Sequence, residues 1–114
     1  MQGTSGLGGF PASGGGGVSD LEQYISAAFS IGMSESKIDA LQRIQSPEIP
    51  VKRQLEILCR ALHDIDPEVN ILAAQILIKY GTSARELRGA LTVMMSDTDY
   101  SVAVAAFDAV QAMA

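Results

Sequence analysis

A chain of 114 residues, 47 % hydrophobic and 18 % charged, has room for one modest domain with a buried core. Its net charge of −5 and pI near 4.6 oppose a phosphate backbone, which needs several Lys/Arg contacts, so nucleic acid is excluded as the expected partner. A single Cys and no Trp leave no internal disulfide and a core of aliphatic side chains, which points to closely packed helices in a reducing, cytoplasmic setting.

Residues 1–18 carry no charged side chain and hold eight of the eleven glycines, so ordering them costs backbone entropy with little apolar surface in return. They are expected to form a flexible Gly/Ser-rich tail, in which Leu7, Phe10 and Pro11 alone offer a docking segment. The tail lacks the basic and apolar regions of a cleaved secretory signal, and no apolar run elsewhere is long enough to span a bilayer. Its small, uncharged composition also fits an uncleaved export signal of a specialised secretion system.

A single α-helical domain is expected over 19–114. Ser19 and Glu22 match a capping box, and Leu21, Tyr24, Ile25, Ala28 and Phe29 follow at helical spacing until Gly32 stops the helix. A second helix is predicted from Ser34 to Gln45, ended by Ser46-Pro47. Pro50 fits the first turn of a third, in which Val51, Leu55, Leu58, Cys59 and Leu62 form a stripe.

Asp66-Pro67 announces a fourth helix that is apolar on most sides and therefore central. Gly81 ends it, and Ser83 with Glu86 predicts a capping box for a fifth helix lined by Leu87, Ala90, Leu91, Met94 and Met95. Asp97 or Asp99 caps the last helix, where Val102, Ala105, Ala106, Ala109, Val110 and Met113 make one stripe and Val104 and Phe107 a second. No later helix in this sequence covers that second stripe, and terminal repeats usually carry a polar outer face.

Asp64–Gly81 is echoed 33 residues later: Asp64, Asp66, Val69, Ala73 and Leu77 align with Asp97, Asp99, Val102, Ala106 and Val110. A spaced echo of this kind suggests stacked helical units. The pattern, an Asp-x-Asp-Pro-x-Val start followed by an Ala-containing apolar run, resembles HEAT-type repeats over roughly residues 50–114. Asn70 and Ala103 stand where that family often places Arg, and Tyr100 stands where the second copy would have Pro. The resemblance implies an α-solenoid fragment of about six short antiparallel helices, stacked as hairpins, that binds protein and carries no catalytic residues. The same elements also fit a compact helical bundle.

No catalytic or cofactor chemistry is expected. His63 is the only histidine, and Cys59 four residues earlier lacks an orienting group or oxyanion site. Asp64, Asp66 and Glu68 lack the glycine and terminal Glu of a calcium loop and are expected to cap a helix. Arg53 and Arg60 share a helix face that either is simply solvated or forms a docking ridge for an acidic protein.

The expected function is therefore a non-enzymatic protein-interaction module. It would bind a protein partner or itself through the C-terminal helix, with Val104, Phe107, Val110 and Gln111, and Arg53 and Arg60, as candidate contacts. The alternative is a structural subunit or small chaperone of a helical assembly such as a secretion apparatus.

Overall fold

The computed structural model describes residues 19–114, so the expected tail over 1–18 lies outside the described residues. Among the described residues there are six α-helices, one 3-10 segment and no strand. The helices are α1 (Asp20–Ile31), α2 (Ser34–Gln42), α3 (Val51–Leu62), α4 (Pro67–Ile78), α5 (Arg88–Met94) and α6 (Tyr100–Ala112). No helix among them is long and apolar enough to cross a membrane.

The helix starts follow from side-chain acceptors. Ser19 Oγ accepts from the Glu22 amide at 3.1 Å, Asp66 Oδ1 from the Glu68 amide at 2.9 Å and Asp99 Oδ1 from the Ser101 amide at 2.9 Å. Half of the expected first capping box is absent, because the Glu22 carboxylate turns instead to Arg53, 2.7 Å away. The Asp-x-Asp echo recurs as geometry: Asp64 Oδ1 takes the Asp66 amide at 2.9 Å and Asp97 Oδ1 takes the Asp99 amide at 2.7 Å.

Two predicted elements differ. The second helix stops at Gln42, three residues early, because the Arg43 and Ile44 amides bond back to Ala40 and Leu41 and tighten the last turn. Ile44 stays fully buried from that turn. The Ser83/Glu86 capping box does not form either. Gly81 takes a left-handed φ of 55° and launches a 3-10 segment (Gly81–Leu87), so the fifth helix begins only at Arg88 and has no side-chain cap.

Consecutive helices pack on one another: α1 on α2, α3 on α4, and α5 on α6. The even-numbered helices also pack in sequence, α2 on α4 and α4 on α6, the last being the most extensive contact, while α3 touches both α1 and α5. The core keeps the same step of 33 residues across all three pairs. Helices α2, α4 and α6 begin at positions 34, 67 and 100. Ile25, Leu58 and Leu91 are each fully buried at one register position, and Ala40, Ala73 and Ala106 at another. Small Ala residues at the second position let neighbouring helices approach closely.

Polar ties join the first four helices. Lys37 Nζ meets Asp64 Oδ2 at 2.7 Å, Arg53 reaches from α3 to Glu22 on α1, and Asn70 Nδ2 donates to the carbonyls of Ala61, Leu62 and Asp64. Gln54 Nε2 donates to the Ser46 and Ile49 carbonyls, and its Oε1 accepts from Tyr80 Oη. Among the described residues, no side-chain hydrogen bond or ion pair ties α5 or α6 to the rest; their side-chain bonds are all local.

Two carboxylates are held below the usual range. Asp39 is held there chiefly by the Tyr24 hydroxyl, and Asp66 by the Ser34 hydroxyl and then by the Glu68 amide. A lowered folded pKa contributes stability that is fully present above the unfolded value near 3.8 and lost as pH falls through the folded value. The urea midpoint is therefore expected to hold from about pH 7 to 5 and to fall below about pH 4. Asp66→Asn, which keeps a capping oxygen but cannot titrate, should shallow that fall.

Candidate protein-binding surface

Four of the sequence-derived contact residues lie on α6, whose buried side (Val102, Ala105, Ala106, Ala109 and Met113) is spent on the core. Phe107 is 47 % exposed and Val104 39 %, Gln111 is exposed, and Val110 is half-buried against the core. The helix splits these residues. Val104 lines an open cleft of about 420 Å³ between α4 and α6 with Ile71, Gln75, Tyr100, Ser101 and Asp108. Phe107 and Val110 are not in that cleft. They fall with Ala103 at the i, i+4, i+7 spacing of one stripe.

Arg53 and Arg60 are placed elsewhere, on α3, with their guanidinium groups engaged inside the chain. Arg53 Nε holds Glu22 at 2.7 Å and its Nη1 holds Glu56 at 2.5 Å, which raises its pKa, first through the Glu22 bond. Arg60 Nη2 donates to the Phe29 carbonyl at 3.0 Å. The fold does not bring this pair to the α6 surface.

Some surface residues escaped the sequence pattern. Tyr100 is broadly exposed at the start of α6, although the sequence marks it only as a departure from Pro. Met94 is buried, whereas Met95, at the end of α5, is exposed together with Val93. Helical spacing alone assigned both methionines to the inner face; Met95, the residue after Met94 at the C-terminal cap of α5, turns out instead.

At the other end of the molecule, α1 and α2 share a polar cluster. Tyr24 Oη donates to Asp39 Oδ2 at 2.6 Å, Arg43 Nε reaches the same oxygen at 3.1 Å, and the Arg43 guanidinium lies 5.9 Å from the Tyr24 ring centre. The Asp39 contact raises the Tyr24 pKa.

The Cys59–His63 spacing does not produce a thiol–imidazole pair: His63 Nδ1 lies 2.9 Å from the Cys59 backbone carbonyl, and the thiol is half-buried. No three His, Cys, Asp or Glu side chains converge as metal ligands among the described residues. Comparison of the chain with protein-family models, with curated proteins and with solved structures returned no match.

Proposed function

We propose that the chain is a non-enzymatic helical-repeat module, built from HEAT-like hairpins, whose function is to bind protein through α6. The observation that carries this reading is the apolar surface of α6: Phe107, Val104 and Tyr100 stand in water on a helix whose other side is fully committed to the core. Exposed aromatic and aliphatic side chains grouped on one element mark contact surfaces more often than isolated ones do. The stacking register supports the repeat reading. Three helix pairs share one 33-residue step, and equivalent positions are buried in each.

Light scattering at micromolar concentration, together with capture of proteins from the source cell, tests the proposal. Phe107→Glu should abolish the association that the parent shows while leaving the helical circular dichroism unchanged. A monomeric parent, matched by the variant in both self-association and capture, would sink it.

A further inference from the structure

The 33-residue register permits a comparison that a single helix does not. Leu41 on α2, Ala74 on α4 and Phe107 on α6 occupy one register position, and they are 1 %, 0 % and 47 % exposed. Ile44 and Leu77 are both fully buried, and their counterpart Val110 is only half-buried. Helices α2 and α4 each have a following even-numbered helix packed on them, and α6 has none among the described residues. The positions closed on the first two and open on the third are therefore those that a following helix covers. On α6 they are Phe107 and Val110, with Ala103 in line.

The same subtraction at the other end gives a different surface. Val69 and Ile76 on α4 and Val102 and Ala109 on α6 are buried, while their counterparts on α2 are Ser36 and Arg43, with Asp39 beside them. One end is closed by polar side chains and an ion pair. The other presents an uncharged seam.

We infer that a second copy of this chain covers that seam, the two molecules meeting tail to tail about a two-fold axis with α6 of one copy against α6 of the other. The inference rests on the reading of α6 as the contact surface and names its occupant. The seam has the small-and-large alternation that an antiparallel helix pair interlocks: Phe107 of one copy can lie over Ala103 of the other, and by symmetry the reverse. It carries no charge, so self-pairing opposes no like charges, and Gln111 at its edge can both donate and accept. Head-to-tail addition would instead press Phe107 onto Ser36, Asp39 and Arg43. That takes a hydrated ion pair out of water for no new partner, and its copies would not close.

Sedimentation velocity on the full 114-residue chain, across the micromolar range, tests this. The mass should saturate at two copies of the 12.0 kDa chain. Phe107→Glu, and independently Ala103→Arg, should weaken association at least about thirtyfold with unchanged circular dichroism, as expected for a residue at an interface centre. Arg43→Glu should change it by less than about twofold, as a residue outside the contact does. A mass that climbs past two copies and is blocked by Arg43→Glu would overturn the inference in favour of head-to-tail growth. A constant 12.0 kDa would also overturn it. In that case a protein captured by the parent but not by Phe107→Glu leaves the binding reading standing, and no capture removes both.

Discussion

Asn70→Ala is expected to lower the unfolding free energy by about 2–3 kcal/mol, a fall of roughly 10–20 °C in the midpoint of a thermal melt. The Asn70 side chain is buried in the first turn of α4 and its Nδ2 donates to three carbonyls, those of Ala61 and Leu62 at 2.9 and 3.1 Å and that of Asp64 at 2.9 Å. The Leu62 carbonyl lies in the last turn of α3, where no intrahelical amide reaches it, while the Ala61 carbonyl also accepts from the Asp64 amide at 3.2 Å. One amide group thus ends one helix while sitting in the next. Truncation leaves the Leu62 and Asp64 carbonyls without a donor, which costs more than the bonds themselves are worth. Asn70→Asp should be worse near neutral pH, because it turns an acceptor-only group toward three acceptors, and it should recover partly as the carboxyl protonates in acid. A thermal melt of Asn70→Ala within one or two degrees of the parent would show that water or a rearranged turn supplies the missing donor.

The second large effect is expected at Leu77. It is fully buried on α4, so Leu77→Ala removes its contacts and leaves a cavity, at a cost of about 3 kcal/mol within the 2–5 kcal/mol typical of buried Leu truncation. Its register counterpart provides an internal control. Val110→Ala removes fewer atoms from a half-buried site, so the loss in monomer stability should be below about 1 kcal/mol. Urea denaturation of both variants at low protein concentration reads the contrast directly. Equal losses would mean that the two positions do not share an environment up to the missing cover, and the register argument would fail with them.

The helix starts were legible because capping is local chemistry. Ser19, Asp66 and Asp99 each bond an amide two or three residues on, whatever else the chain does. The central place of α4 was legible for a similar reason, since a helix apolar on most sides has nowhere else to go. What did not show was the third member of the register. Met33 starts α2 at the position where α4 and α6 have Asp, and it makes no side-chain cap, so the echo loses its clearest mark there. Burial restores it through Ala40, Leu41 and Ile44, which are ordinary residues until their partners are known.

The fifth helix failed for the converse reason. Ser83 and Glu86 carry the right spacing, but the left-handed Gly81 and the non-helical Ala84 route the backbone through a 3-10 segment before a cap can act. Asn70 looked like a missing arginine, and its cap on the end of α3 depends on a helix crossing that no single stretch encodes. For the candidate surface, the sequence proposed α6 and its residues without the division between Phe107 with Val110 and Val104 with Tyr100. That division depends on where α4 lies.

The way α5 and α6 are attached has a thermal consequence. Helices α1 to α4 are joined by ion pairs and amide bonds as well as by apolar packing, whereas the last pair is held by apolar packing and the chain link alone. Apolar burial loses strength on cooling, and charge pairs and amide bonds do not share that dependence. The two halves therefore respond to cold to different degrees. Near freezing the last pair loosens before the rest, so a surface built on α6 is at its most rigid in warm solution, and its grip on anything it holds should fade when chilled.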